Sequence, residues 1–502
     1  MKDSLDYIYN KQKELSVLGG IGALIGWDQM TYMPKMGAER KSEQSAALSK
    51  ILHKKIISDE FWKHIEKLNQ ESIYNQLEEK DKHVVKRLYK DVGKSRRLPS
   101  EFVVRMSKTT TLGYQAWEQA RQKNDFKIFQ PNLEKIIELE KEYYTFFDIP
   151  GPKYNTLLDD YEEGMTADKL KKEFTYLKKE LVELLEKIKN SDVYKKQIEF
   201  KKNITVDQQK RLCKKVMDTM NLPADRTRLD ESTHPFTTSM GYDDVRITTS
   251  FQREGPLFSF FSTIHEAGHA LYELGMPKNE YKNTVISDSP SLGLHESQSR
   301  FWENMISRSK SFWKYFYPLF KKTSPETFKD IEFDKWYQIV NQVKPSLIRV
   351  EADELTYCLH VILRFEIETD MMEDKINVGD LPQIWNEKMY EMLGIKPKND
   401  VEGVLQDMHW SGGSIGYFPT YAIGTIYSAQ IYNQISKENP NMQIEIENGN
   451  FNNILKWLRK NIHQYGRLMM ADEIIKKSCG GGLNSEVFIK YLKEKYLDLY
   501  NL

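Results

Sequence analysis

Apolar residues recur every three or four positions along most of this chain, which is the spacing of one face of an α-helix. Residues that interrupt helices are scarce. There are 26 glycines and 17 prolines among 502 residues, below the usual shares of roughly 7% and 5%. The pattern therefore predicts an all-α, mainly helical protein. One stretch, 234–251, is instead rich in Thr and β-branched residues and predicts one or two short strands with a turn.

No internal repeat or low-complexity linker divides the chain, so we expect a single unit rather than separable domains. Within it we expect a helical region at 1–229, a region with a metal site and a substrate groove at 230–430, and C-terminal helices at 431–502. A Gly-rich stretch at 411–424 interrupts the middle region. The helices predicted for that region span 258–274, 293–310, 346–370 and 380–393.

Charge and cysteine content exclude several classes of partner. The 73 basic and 73 acidic side chains cancel, so no global positive field attracts nucleic acid or an anionic membrane. The three cysteines, Cys213, Cys358 and Cys479, are too few and too widely spaced to form a disulfide framework. We therefore expect the protein to occupy a reducing compartment, the cytoplasm. The apolar run 17–25 is too short to cross a bilayer and lacks the basic start of a signal peptide, so we predict a buried helix there.

The segment 265–269 reads His-Glu-Ala-Gly-His, an HExxH pattern inside a predicted helix. Residues four apart lie one turn above each other, so His265 and His269 can reach one metal ion. Two imidazoles with this spacing are typical ligands of Zn²⁺. Glu266 lies beside them and is the candidate general base that takes a proton from the attacking water. The alternative is a pair of structural histidines in the core.

A hydrolytic zinc site needs a third protein ligand. Glu296, 27 positions after His269, is the preferred candidate because it begins the next predicted helix. His295 and Glu303 are rivals. Glu303 lies two turns further along roughly the same face, where it could instead orient a ligand histidine.

Other polar residues are candidates for binding a substrate. Arg349 could grip a carboxylate with its two-pronged guanidinium, or it could simply pair with Asp353 four positions on. His409 could donate a hydrogen bond to an oxyanion or to a terminal carboxylate. Tyr417 and Tyr421 are four positions apart, and the phenol of one of them could stabilise a tetrahedral intermediate. For each of these residues, ordinary packing is the alternative.

The strand-like segment adds two further candidates, His234 and Arg246, just before the metal helix. A strand edge at this point could pair with an extended peptide. With these segments in view, the chain resembles the carboxypeptidase Taq family of metallocarboxypeptidases over nearly its whole length. The blocks that carry the resemblance are Trp27-Asp28-Gln29, Asp160-Tyr161-Glu162, His234-Pro-Phe236, Asp244-Val-Arg-Ile-Thr248, the HExxH segment, His295-Glu-Ser-Gln298, Ile348 to Asp353 and Gly403 to Trp410.

The resemblance implies a helical homodimer with a small antiparallel sheet beside a long, deep groove. It implies one zinc per chain, replaceable by cobalt, and removal of C-terminal residues from peptides with broad specificity. The implied metal ligands are His265, His269 and Glu296, with Glu266 as the catalytic residue. Arg349 and the block Gly403 to Trp410, which contains His409, would lie at the closed end of the groove and receive the terminal carboxylate. His234 and Arg246 would line the site.

Two other functions remain open at this point. A helical oligopeptidase that cuts internal bonds would use the same metal chemistry, and only an anchor for the terminal carboxylate, such as Arg349, separates it from a carboxypeptidase. A helical scaffold without activity would carry an incidental HExxH segment and bind no stoichiometric zinc.

Overall fold

The structure, a computed structural model, describes residues 1–197, 199–200, 202–251 and 257–502. Helices dominate it, which confirms the predicted fold class. The helices that precede the sheet are α1 (Lys2–Thr31), α2 (Ala38–Ile56), α3 (Asp59–Asn69), α4 (Glu71–Tyr74), α5 (Glu79–Arg97), α6 (Ser100–Lys123), α7 (Gln130–Tyr144), α8 (Tyr154–Asp159), α9 (Ala167–Asn190), α10 (Asp192–Lys195) and α11 (Val206–Thr219).

The sheet has three strands, β1 (Thr227–Glu231), β2 (Thr237–Gly241) and β3 (Asp244–Thr249), in the spatial order β1-β3-β2. The expectation of an antiparallel sheet holds for β2 and β3, which a tight turn joins, but it is wrong for β1 and β3, which run parallel. The sheet is mixed because β3 inserts between the two strands that precede it in the chain. Strand β1 lies wholly before the predicted stretch 234–251, so the sequence prediction missed it.

The helices after the sheet match most of the predicted segments. They are α12 (Leu257–Glu273), α13 (Lys278–Tyr281), α14 (Leu292–Arg300), which continues as a π-helical segment (Phe301–Ile306), α15 (Lys310–Thr323), α16 (Pro325–Phe328), α17 (Phe333–Val340), α18 (Tyr357–Met372), α19 (Leu381–Leu393), α20 (Pro419–Glu438), α21 (Met442–Glu447), α22 (Asn452–Asn461), α23 (Ala471–Cys479) and α24 (Ser485–Tyr500).

The helix predicted over 346–370 is wrong over 346–356, nearly half of its length. Arg349 lies in a single 3-10 turn, and α18 begins only at Tyr357. The reason is local, because the side chain of Asp353 accepts hydrogen bonds from the backbone N–H groups of Leu355 and Thr356, both at 2.9 Å. This Asp-centred bonding competes with helical hydrogen bonds and forms a turn.

The run 17–25 is helical as predicted, within α1, but the expected burial is wrong. Val17, Ile21 and Leu24 are 56%, 45% and 43% exposed. They form one stripe of the helix, whereas α1 packs on α2, α3 and β2 through its other sides. Within the described residues, no helix combines the length and the apolar character needed to span a bilayer.

Most buried apolar side chains of the described residues belong to two clusters. The larger includes residues of α9, α12, α14, α18, α20 and α24. The smaller joins α1, α3 and α5 to Tyr281 and Ile286 from the segment after α12. The division at 1–229, 230–430 and 431–502 stays a prediction, and so does the long groove.

Helices α12, α14 and α20 pack unusually closely, and two glycines permit it. A Cβ atom on Gly268 of α12 would lie 2.7 Å from the carbonyl oxygen of Gln298 and 2.8 Å from the Cα of Ser299 on α14. A Cβ on Gly424 of α20 would lie 2.8 Å from both Cβ and Cγ of Glu296. Because both separations are shorter than van der Waals contact, any larger residue would push α14 away from its neighbours.

Candidate metal centre and carboxylate anchor

Three side chains from two helices converge at the edge of the core. Helix α12 presents His265 and His269, and α14 presents Glu296. The Oε2 of Glu296 lies 3.6 Å from the Nε2 of His265 and 3.4 Å from the Nε2 of His269. One potential ligand atom from each residue lies within 4.8 Å of the other two, and no other such group of His, Cys, Asp or Glu occurs in the described part of the chain.

The donor set and spacing fit a zinc ion. Two imidazole nitrogens and one carboxylate oxygen are a common catalytic zinc set, which leaves a fourth position open. Bonds of roughly 2.0–2.1 Å in tetrahedral geometry would separate ligand atoms by about 3.3 Å, close to the two distances from Glu296. Among the three candidates for the third ligand, the geometry favours Glu296, although its role as a ligand stays a prediction.

Glu303 orients the first histidine. It lies in the π-helical segment that follows α14, and its Oε2 is 2.8 Å from the Nδ1 of His265. This contact directs Nε2 toward Glu296 and His269, as expected of a carboxylate behind a ligand histidine. Burial opposes a charge on His265, but Glu296 and Glu303 raise its pKa to about 9. A metal ion must therefore displace a proton from this imidazole at neutral pH.

The second histidine is held differently. The ring of His269 stacks on that of His295 with 4.4 Å between centroids and 20° between planes. The Nδ1 of His269 is buried and lacks a hydrogen-bond partner among the described residues. The rival ligand His295 has its Nε2 2.8 Å from a carboxylate oxygen of Glu273 instead. Burial lowers the pKa of His269 to about 3, so this imidazole is neutral and ready to bind a metal.

Arg300 holds the carboxylate of Glu296. Its Nε donates to the Oε1 of Glu296 at 2.7 Å, while the hydroxyl of Ser299 donates to Oε2 at 2.9 Å. Although burial alone would raise the pKa of Glu296, the charge of Arg300 and the two histidines hold it well below its usual range. The carboxylate therefore stays ionised despite being buried, as a metal ligand must.

The candidate general base lies against the sheet. Glu266 is buried, and its Oε2 accepts a hydrogen bond of 2.7 Å from the hydroxyl of Thr237 on β2. Burial raises the pKa of Glu266, while His265 and Thr237 oppose the increase. A carboxylate with a raised pKa next to a metal site suits proton transfer near neutral pH.

The predicted carboxylate anchor, Arg349, is buried but is not paired with Asp353. Its Nε and Nη2 donate to the Oδ1 of Asp407 at 3.2 and 2.9 Å, and its Nη1 donates to the hydroxyl of Tyr357 at 3.2 Å. Since Nη1 and Nη2 each carry two hydrogens, one N–H on each has no acceptor among the described residues and remains for a ligand. Asp407 also pairs with Arg364, so two guanidinium groups share one carboxylate.

His409 and Tyr421 lie beside this arginine. The Nε2 of His409 is 3.3 Å from the hydroxyl of Tyr421, and the guanidinium of Arg349 lies 4.7 Å from the centre of the Tyr421 ring. Burial lowers the pKa of His409 to about 4; the charges of Arg349 and Arg364 also lower this pKa, and the charge of Asp407 raises it. The imidazole is therefore neutral. Tyr417 stacks edge-on against Tyr421 at 5.4 Å.

His234 and Arg246 are not brought into the metal cluster by the described contacts. His234 is exposed after β1. Thr237, which contacts Glu266, lies opposite Ile247 in the sheet, so Arg246 points to the other face. There its guanidinium pairs with Asp244 and lies 4.4 Å from the ring centre of Trp27. Substrate contacts for these two residues stay a prediction.

Arg300, Tyr357 and Asp407 were not among the site residues predicted from the sequence. Arg300 carried a local signal, because it follows Glu296 by four positions on one helix. Tyr357 and Asp407 reach the site through tertiary contacts, and neither has a telling spacing to the residues that it touches.

Comparisons with known proteins agree with this picture. The family described as "Carboxypeptidase Taq (M32) metallopeptidase" matches residues 7–496. "Thermostable carboxypeptidase 1" of Pyrococcus furiosus is 39% identical over 497 residues, with 99% of each chain covered. "Carboxypeptidase 1" of Bacillus subtilis is 38% identical over 494 residues, with 98% of this chain and 97% of that protein covered. The crystal structure of an M32 carboxypeptidase from Deinococcus radiodurans superposes with a TM-score of 0.95 at 34% identity, covering 100% of both chains.

Proposed function

The chain belongs to the carboxypeptidase Taq (M32) family of metallopeptidases and is a metallocarboxypeptidase, and from that premise we propose how it works. It uses one zinc ion per chain, held by His265, His269 and Glu296, and releases single residues from the C-termini of peptides with broad specificity. Cobalt, with similar ligand preferences, substitutes for zinc. We also propose that the protein is a homodimer, because the whole chain resembles the family, and that it is cytoplasmic, because its cysteines are sparse.

The chemistry follows from the residues around the site. Bound zinc supplies a Lewis acid that polarises the scissile carbonyl and makes water more acidic. The carboxylate of Glu266 accepts the proton of the attacking water and later donates it to the leaving amine. Tyr421 or His409 donates a hydrogen bond to the oxygen that gains negative charge. The neutral state of His409 leaves it able to donate through one ring nitrogen only, which suits this role or contact with a carboxylate.

One observation carries the choice of a carboxypeptidase over an endopeptidase. Two N–H groups of the Arg349 guanidinium have no acceptor in the described part of the chain. The guanidinium is joined to the metal cluster through a short series of contacts. Its Nη1 donates to the hydroxyl of Tyr357, whose ring packs 4.0 Å from the guanidinium of Arg300, which in turn holds Glu296. A buried cation at a fixed place beside the metal ligands favours a substrate whose terminal carboxylate lies near the bond to be cut.

The test compares two N-terminally blocked peptides that differ only in ending as a free acid or as an amide. We expect the enzyme to cleave the acid and to leave the amide nearly intact. Arg349→Ala should lower kcat/KM for the acid by about 10²-fold or more, because a buried charge pair with the substrate is lost.

Arg105→Ala is the matched control, since Arg105 forms an exposed ion pair with Glu142. It should leave kcat/KM unchanged. Equal cleavage of acid and amide, with no effect of Arg349→Ala, would favour the endopeptidase. No cleavage and no stoichiometric zinc would favour the inactive scaffold.

A further inference from the structure

Arg300 occupies a central position between the two acidic residues of the metal centre. Its Nε donates to the Oε1 of Glu296 at 2.7 Å, and its Nη1 lies 3.5 Å from the Oε2 of Glu303. The side chain is only 13% exposed. Its guanidinium is thus enclosed, and its place is fixed by contacts on several sides.

The contact with Glu296 selects which carboxylate oxygen faces the histidines. Oε2 points toward the Nε2 atoms of His265 and His269, whereas Oε1 is turned to Arg300. The hydrogen bond to Oε1 therefore holds the carboxylate with Oε2 turned to the histidines. A lysine could supply the charge but not the two-nitrogen fork that spans both acidic residues.

The other side of Arg300 leads to the carboxylate anchor. The ring of Tyr357 lies 4.0 Å from the Arg300 guanidinium, a stacked cation–π contact. The hydroxyl of the same tyrosine accepts the hydrogen bond from Nη1 of Arg349. Tyr357 therefore touches both arginines, one through its face and the other through its hydroxyl.

We propose that Arg300 and Tyr357 are positioning residues that fix the distance between the metal ligand Glu296 and the carboxylate anchor Arg349. This inference rests on the function proposed above. It assigns distinct effects to the two residues. Arg300 sets the orientation of Glu296 and hence the affinity for zinc, and Tyr357 sets the place of Arg349 and hence the binding of the terminal carboxylate.

Two conservative variants separate these effects. Arg300→Lys keeps the positive charge but loses the fork, and should weaken zinc binding about 10–100-fold, as is typical when a partner behind a metal ligand is lost. Tyr357→Phe keeps the ring against Arg300 and leaves no cavity. It should raise KM for a free-acid peptide about tenfold while zinc affinity stays within about twofold of the parent.

Zinc affinity is measured by competition with a chromogenic chelator at fixed pH. The constants kcat and KM are measured on zinc-loaded enzyme, and thermal unfolding checks that each variant is folded. Arg308→Lys is the control for the first variant. The guanidinium of Arg308 lies 4.2 Å from the centre of the Phe261 ring, and its Nη2 lies 3.9 Å from the Oε1 of Glu303. Arg308 therefore resembles Arg300 in its surroundings, but it donates to the carbonyl of Val340 rather than to Glu296. Its zinc affinity should match the parent.

The outcomes distinguish this inference from the proposed function. Unchanged zinc affinity in Arg300→Lys, or unchanged KM in Tyr357→Phe, would overturn the positioning roles. Equal loss of zinc in both variants would also overturn them, since it would indicate general damage to the site. Glu296→Gln serves as the reference. If Glu296→Gln binds zinc like the parent, the proposed ligand set is wrong. If Glu296→Gln loses zinc while Arg300→Lys keeps it, only the role of Arg300 is refuted.

Discussion

Replacing Gly424 by alanine would test how strictly the helix packing controls the metal centre. Gly424 belongs to α20 and does not belong to any of the groups proposed to bind zinc or substrate. A Cβ atom at this position would lie 2.8 Å from Cβ and Cγ of Glu296 and 2.9 Å from the carbonyl oxygen of Gly293. The new methyl group therefore presses directly on the stem of the proposed third ligand.

The size of the effect follows from these distances. Carbon atoms pack best at about 3.5–4.0 Å, so Glu296 and α14 must move by roughly 0.7 Å or more. Alanine favours a helix by about 1 kcal/mol over glycine, but overpacking of this kind costs about 1–3 kcal/mol. The net loss of stability is then about 0–2 kcal/mol. A misplacement near 1 Å can cost about 10²-fold in rate, so the damage to function should far exceed the damage to folding.

The assay measures zinc affinity, kcat/KM and the free energy of unfolding for Gly424→Ala and for a matched control, Gly26→Ala. Gly26 is also inside a helix, but its Cβ would meet no atom within 4 Å. We expect weaker zinc binding and about 10²-fold lower kcat/KM in Gly424→Ala, and parental function with slightly higher stability in the control. Parental zinc affinity and activity in a folded Gly424→Ala enzyme would refute the reasoning.

Three further predictions concern the residues around the metal. Glu266→Gln should lower kcat by about 10²–10⁴-fold while zinc content stays at one per chain, measured by steady-state kinetics and elemental analysis; loss of the zinc would place Glu266 among the ligands instead. Thr237→Val removes a donor that stabilises the ionised form of Glu266, so the pKa of this base should rise and the acid limb of the kcat/KM profile should move to higher pH; an unmoved limb would contradict Glu266 as the base. Glu303→Gln should weaken zinc binding about 10–100-fold, measured by chelator competition, because His265 loses its orienting carboxylate. An unchanged zinc affinity would contradict this role of Glu303.

The sequence predicted the fold class and the metal cluster better than the carboxylate anchor. His265 and His269 are adjacent on one helix, so their geometry follows from a local rule. Glu296 and Glu303 share another helix and approach the histidines once α12 and α14 pack together. The spacing therefore identifies residues that the structure brings together, although it does not choose among the rivals.

The contacts of Arg349 could not be predicted because they come from distant parts of the chain. The partner of Arg349 is Asp407, 58 positions away, rather than Asp353 on the expected helix. Asp353 forms a turn with its own backbone instead, and a periodic apolar pattern does not reveal that competition. The mixed sheet has a similar cause, since the parallel pairing of β1 with β3 depends on how the chain passes around the inserted strand.

The exposed stripe of α1 shows the same limit for burial. Periodicity identifies a helix, but it does not tell which of two apolar faces finds a neighbour. Gly20 of α1 lies against the carbonyl of Met240 on β2, whereas Val17, Ile21 and Leu24 stay largely exposed.

The central claim is that the protein removes single residues from a free C-terminus by metal-dependent hydrolysis. A mass-spectrometric time course on an N-terminally blocked peptide of about ten residues, with and without a chelator, tests it most directly. We expect a ladder of products, each shorter by one C-terminal residue, that disappears with chelator and returns when zinc or cobalt is added. Internal fragments, or a ladder that persists in the metal-free enzyme, would contradict it.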